Sequence, residues 1–94
     1  MFVSTIEFTV DPAALLQFMD AILEQAEATL KEQAGCHQFE VSQCRQNPKL
    51  FFLYSRFDSE ADFQCHLDSP HYLCFTKQTN QWVIRKQIRT WFVC

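Results

Sequence analysis

The hydrophobic period changes along this chain in an order that few folds accept. Phe2–Val10 alternates, with Phe2, Ile6, Phe8 and Val10 on one face and Val3, Thr5, Glu7 and Thr9 on the other. A period of two marks a strand with one apolar face. Ser4 is the single interruption on the apolar side. Asp11-Pro12 then open a helix: Asp11 can accept from an unpaired backbone N–H, and proline's fixed φ suits the first helical position. Leu15, Phe18, Met19, Ile22, Leu23, Ala26 and Leu30 recur at three and four, which predicts a helix from Ala13 to Gln33. Gly35 follows, where a left-handed cap favours a residue without Cβ. His37–Arg45 alternates again, with His37, Phe39, Val41, Gln43 and Arg45 on one side. Gln46-Asn47-Pro48-Lys49 reads as a turn, and Leu50–Phe57 as a nearly continuous apolar strand. The short connection makes these two strands an antiparallel hairpin. Ser59 caps a second helix, with Glu60 and Asp62 in its first turn, running through Leu67. Asp68-Ser69-Pro70 breaks it, and Pro70 restarts a helical segment toward Gln81. Val83–Val93 closes the chain as a strand, Ile84, Ile88 and Phe92 alternating with Arg85, Gln87, Arg89 and Trp91.

The order β-α-β-β-α-β predicts an α+β, ferredoxin-like fold: a four-stranded antiparallel sheet with helices on one face. The 94 residues allow one domain, spanning residues 1–94. The second sheet face is expected to carry Phe39, Val41, Phe51, Leu53 and Phe57 or their neighbours. A chain this short has no third layer to cover them. A second copy packed sheet to sheet would, so the sequence predicts a homodimer through the sheet face.

Charge and composition exclude several partners. The net charge is -3 and no basic run exists, so no electrostatic footprint for nucleic acid is present. A single glycine removes the Gly-rich phosphate cradles. No apolar run approaches the ~20 residues of a membrane span. The first residues enter strand alternation directly, without a basic and apolar leader, so a cytoplasmic location is expected. The five cysteines are then expected to be free thiols. Cys65, His66, His71 and Cys74 cluster in sequence, but neighbours on a helix diverge by about 100°, so Cys65 and His66 do not share a metal easily. No metal site is expected.

Three runs carry a family resemblance. Gly35-Cys36-His37-Gln38-Phe39-Glu40-Val41 resembles a G-C-x-x-F-x-V motif after a first helix. Leu53-Tyr54-Ser55-Arg56-Phe57-Asp58-Ser59-Glu60-Ala61-Asp62-Phe63 resembles L-Y-E-x-(aromatic)-x-(S/D)-E-A-A-F. His66-Leu67-Asp68-Ser69-Pro70-His71-Tyr72 resembles H-L-x-(T/S)-P-H-F/Y. In this order they resemble the antibiotic biosynthesis monooxygenase domain, whose fold is a dimeric α/β barrel. The resemblance implies a pocket between helices and sheet. It also implies oxidation of a small quinol or polyphenol by O2 with no metal, flavin or other cofactor. Such chemistry needs a base for a hydroxyl proton, a donor for the resulting anion, and a dry aromatic cage.

His66 and His71 occupy the histidine positions of the third run, and imidazole titrates near neutral pH, so they are the candidate catalytic pair. Phe39, Phe51 and Phe57 are candidate cage walls, although for each ring alone plain core or dimer packing is the simpler reading. Tyr54 and Tyr72 bring hydroxyls that can bind substrate. Ser55 departs from the pattern: the family carries Glu there, and a hydroxyl is a far poorer base than a carboxylate. Arg85, with Arg89 on the same strand face, can hold an anion. Two alternatives follow: an isomerase or lyase on a small phosphorylated, autoinducer-like metabolite, and a non-catalytic ligand-binding dimer. Haem-degrading relatives carry a ligating histidine a few residues beyond the Tyr72 position, where Phe75-Thr76-Lys77 stand here.

Overall fold

In a computed structural model, which describes residues 1–94, the expected order is realised. The elements are β1 (Phe2–Val10), a 3-10 turn (Pro12–Ala14), α1 (Leu15–Glu32), β2 (Cys36–Gln43), β3 (Leu50–Phe57), α2 (Glu60–Asp68), α3 (Pro70–Thr79) and β4 (Val83–Phe92). The strands form one sheet in the order β2-β3-β1-β4, and every neighbouring pair is antiparallel. This is the ferredoxin-like α+β fold.

The register explains which residues meet the helices. Phe2, Ser4, Ile6 and Phe8 of β1 lie opposite Phe57, Ser55, Leu53 and Phe51 of β3. Phe39 and Val41 of β2 lie opposite Ser55 and Leu53. These residues share the helix-facing side, with Phe8, Phe51, Leu53 and Phe57 almost wholly buried. Phe18 of α1 fills the centre of this side. Its ring lies 5.2 Å from Phe8, 5.0 Å from Phe51 and 6.3 Å from Phe75.

The register also decides between the two sets of residues that the sequence left open for the sheet's outer face. Phe39, Val41, Phe51, Leu53 and Phe57 do not line it, because the strand period sends all five toward the helices. Their neighbours do: Phe52, Tyr54 and Arg56 from β3, with Val3, Thr5 and Glu7 from β1. The face is mixed, and Trp91 lies across it with Nε1 donating to Thr5 Oγ1 at 3.0 Å. The larger uncovered apolar surface belongs to β4. Ile88 and Phe92 pair opposite Ile6 and Phe2, on the helix side, yet are 50% and 73% exposed. The helices pack over β2, β3 and part of β1 and leave β4 bare.

Two expectations about α1 also change. The buried stripe runs through Phe18, Ala21, Ile22, Gln25 and Thr29, whereas Leu23 and Leu30 are about half exposed, at 49% and 48%. Helix rotation places two polar residues inward in their stead. Gly35 is not in a left-handed conformation. Its lack of a side chain serves a close approach instead: a Cβ there would sit 2.5 Å from Asp62 Cγ and 2.8 Å from Asp62 Cβ. The start of α2 thus packs directly on the α1–β2 corner, and Asp58 N–H donates to Gly35 O at 2.9 Å.

The local signals at the helix starts hold. Asp11 Oδ1 accepts from Ala13 N–H at 2.9 Å. Ser59 Oγ accepts from Asp62 N–H at 3.2 Å and donates to Asp62 Oδ2 at 2.8 Å, a reciprocal cap. No helix is long and apolar enough to cross a membrane.

Candidate functional site

The break between α2 and α3 builds the site. Pro70 cannot continue α2, since it lacks the N–H and its ring would clash with the preceding turn. Ser69 holds the corner: its hydroxyl donates to His66 O at 2.7 Å and accepts from Tyr72 N–H at 3.3 Å. His66 therefore ends one helix and His71 begins the next. The corner brings their ring centroids to 6.1 Å.

His66 is buried, with 3% of its surface exposed. Five rings surround it: Tyr72 at 4.7 Å, Phe57 at 5.4 Å, Phe39 at 5.6 Å, His71 at 6.1 Å and Phe63 at 6.4 Å. Two of the expected cage residues, Phe39 and Phe57, thus enclose the imidazole itself, together with Tyr72, expected as a substrate-binding hydroxyl. Its Nδ1 lies 2.8 Å from Gln33 Oε1. Burial, and secondarily the charge of His71, push its pKa down to about 4, so the ring is neutral at pH 7. A group this reluctant to hold a proton suits hydrogen-bond acceptance better than full proton transfer.

His71 is half-buried, and its Nδ1 lies 3.3 Å from Gln25 Oε1. Its Nε2 is buried with no hydrogen-bond partner. The ring also borders a cleft of about 130 Å³ between α1 and α3, with Ala21, Gln25, Cys74 and Phe75.

Ser55 lies beneath the cage on β3, facing Phe39 and Ser4 across the sheet. Its hydroxyl donates to Ser4 O at 3.3 Å, and the Ser4 hydroxyl is buried without a partner. Three expected site residues lie elsewhere. Phe51 packs on Phe18, away from the histidines. Tyr54 is on the outer face, bordering a concavity of about 360 Å³ with Gln38, Glu40, Ser42 and Phe52. Arg85 is exposed on β4 and lines, with Thr76, Asn80 and Lys86, a cavity of about 200 Å³ at the end of α3. Sequence reading passed over Gln25, Gln33, Ser4 and Phe63. A signal existed for the glutamines: Gln25, Thr29 and Gln33 recur every four residues along α1 and its C-terminal cap, a polar row with the spacing of one helix face.

Cys74 borders the same cleft as His71, but the cysteines and histidines form no metal-binding cluster. Cys65, Cys74 and Cys94 are exposed, and no group of three or more His, Cys, Asp or Glu is arranged to hold a metal ion. Cys36 is buried, donates to Gln38 O at 3.3 Å, and has its pKa raised to about 11 by burial. A thiol so disposed is a small core residue, not a nucleophile.

A ferredoxin-like sheet carrying a buried histidine in an aromatic enclosure, at a break between two short helices, defines a small α+β class. Within that class, the sequence pattern of the antibiotic biosynthesis monooxygenase family matches residues 1–78, and the chain belongs to that family. Solved structures agree on the fold. A Nitrosomonas europaea protein named for the same family superposes with a TM-score of 0.94 at 20% identity, over 99% of this chain and 98% of its own. A Deinococcus radiodurans protein named likewise gives 0.93 at 18% identity, over 100% and 93%. A conserved Methanosarcina mazei protein gives 0.89 at 19% identity, over 97% and 91%. At these identities the likeness is one of fold. No protein of curated function matches the chain.

Proposed function

We propose that this chain is a cofactor-independent monooxygenase that oxidises a small quinol or polyphenol with O2 at the His66–His71 corner. The observation that carries this reading is His66 inside the enclosure of Phe39, Phe57, Phe63 and Tyr72 with His71 at its edge, in a chain of this family. In this reading His66 accepts a hydrogen bond from a substrate hydroxyl and orients it. His71, at the edge of the cage, takes the proton. The aromatic walls exclude water while the electron-rich ring reacts. One oxygen atom enters at a ring carbon that carried hydrogen, and the other leaves as water. The substrate supplies all four electrons, so no external reductant is required. Ser55 and Tyr72 contribute binding contacts.

Two copies associate in this reading, because β4 leaves Ile88 and Phe92 uncovered beside the mixed outer face. The whole of residues 1–94 acts as one domain in each copy.

Anaerobic loading with a reduced naphthoquinol, followed by 18O-labelled O2, tests the activity. Hydroxynaphthoquinone carrying one labelled oxygen is expected, formed at least about tenfold faster than in buffer. Oxygen uptake and product equal to the buffer control would remove the proposal. The cavity lined by Asn80, Arg85 and Lys86 favours one second reading, an isomerase or lyase acting on a small phosphorylated metabolite. Calorimetric titration with inorganic phosphate distinguishes it: saturable binding lost in Arg85→Ala supports this reading, and no heat of binding discards it.

A further inference from the structure

We infer that one row, Gln25 and Thr29 of α1 with Gln33 at its C-terminal cap, sets the tautomer of both histidines and leaves each Nε2 as the bare, hydrogen-accepting nitrogen. The inference deepens the proposed function and rests on it for its catalytic meaning, though not for its geometry.

Thr29 anchors the row. Its hydroxyl proton is committed, because Oγ1 donates to Gln25 O at 2.8 Å. Toward any other neighbour the oxygen can therefore only accept. Gln25 Nε2 lies 3.2 Å from it and must be the donor. That fixes which end of the Gln25 amide is nitrogen and which is oxygen, an orientation that an isolated amide leaves open. Thr29 is fully buried and Gln25 is 4% exposed, so solvent offers neither group an alternative partner. The oxygen Oε1 then faces His71 Nδ1 at 3.3 Å. An amide oxygen cannot donate, so His71 carries its proton on Nδ1 and its lone pair on Nε2.

Gln33, which caps the C-terminus of α1, meets the other histidine through its amide oxygen. Its Oε1 faces His66 Nδ1 at 2.8 Å, which again places the proton on Nδ1 and the lone pair on Nε2. The His71 lone pair is the more telling of the two. Nε2 is buried and no protein donor reaches it. A buried acceptor without a donor costs free energy unless something else supplies the hydrogen. A substrate hydroxyl is a donor of the required kind. Gln25 and Gln33 are thus positioning residues, and Thr29 positions one of them in turn.

Two-bond 1H–15N correlation spectra of the imidazoles, recorded at neutral pH on the full chain, test this without reference to activity. Both His66 and His71 should show the Nδ1–H pattern, favoured by roughly tenfold or more over the Nε2–H form. Thr29→Val should bring the His71 ratio to within about threefold of unity while leaving His66 unchanged, and Thr29→Ser should restore it. Gln33→Met should do the same to His66 alone. A wild-type spectrum with Nε2–H in either ring would overturn the inference for that ring. An unchanged His71 pattern in a folded Thr29→Val protein would overturn the role of Thr29. If the tautomers are as stated and quinol oxidation is absent, the proposed function fails and the inference stands.

Discussion

Histidine 66 makes the stability of this protein depend on pH in a way that can be worked out in advance. Its pKa lies near the ordinary 6.5 in the unfolded chain and is lowered to about 4 in the fold. Between those values the unfolded chain binds the extra proton and the folded one does not. The contribution is therefore complete above about pH 6.5, falls as the pH drops through this window, and is lost below about pH 4. The gap between 6.5 and 4 corresponds to about 3 kcal/mol, with about 1 kcal/mol gone by about pH 5.5 and most of it by about pH 4.5. For a domain whose total stability is of order 5–15 kcal/mol, that is a large share. Acid unfolding sums over every ionisable group of the chain, so the wild type alone does not isolate the effect. His66→Phe does: the ring stays apolar among Phe39, Phe57 and Phe63 but cannot take a proton. Urea titrations at several pH values should show the wild-type midpoint falling by about 1–2 M more than that of the variant between about pH 7 and pH 4.5. Parallel losses in the two proteins would refute the claim that the buried imidazole resists protonation.

Three further outcomes follow from the packing. Gly35→Ala should cost about 1–3 kcal/mol, seen as a lower Tm in calorimetry, because the new Cβ meets Asp62 and must displace the start of α2. A substitution with no thermal effect would show that α2 yields freely. Ser55→Glu, which restores the family's usual carboxylate, should lower stability by about 2–4 kcal/mol at neutral pH, since the site is 3% exposed. Part of that loss should return on acidification, because burial raises a carboxyl's pKa and the protonated form is tolerated; chemical denaturation at two pH values checks the sign. If two copies associate as proposed, Ile88→Lys should weaken dimerisation by at least about tenfold in sedimentation equilibrium. Its unfolding in the monomeric state should be nearly unchanged, because Ile88 is already half exposed.

Much of this was legible in the sequence because the signals were local. The turn before β3, the Ser59 cap and the Ser69-Pro70 break each depend on residues within a few positions of one another. So does the pairing of His66 with His71, which the break alone brings together. What could not be read depends on helix rotation and on which element lies over which strand. The leucines at 23 and 30 are as apolar as Phe18, yet α1 turns Gln25 and Thr29 inward, where His71 partners Gln25 and Gln25 partners Thr29. Gly35 stands out in sequence as the single glycine and suggests a left-handed cap, but its reason is a contact with Asp62, far along the chain, and no local rule reveals that. The Phe residues of β2 and β3 were recognised, while the side they face followed only from the placement of the helices.

The bare strand β4 also bears on how the protein behaves when concentrated. It lies at one end of the sheet, so the backbone groups on its outer side have no neighbouring strand in the chain. Such an edge is a template for unwanted pairing unless charge guards it. Arg85, Lys86 and Arg89 guard the first two thirds. The last stretch, Thr90 to Val93, has no charge and exposes Trp91, Phe92 and Val93. Misassembly into strand-paired aggregates should therefore begin at this unguarded end, and a single lysine placed there would raise solubility without touching the histidine corner.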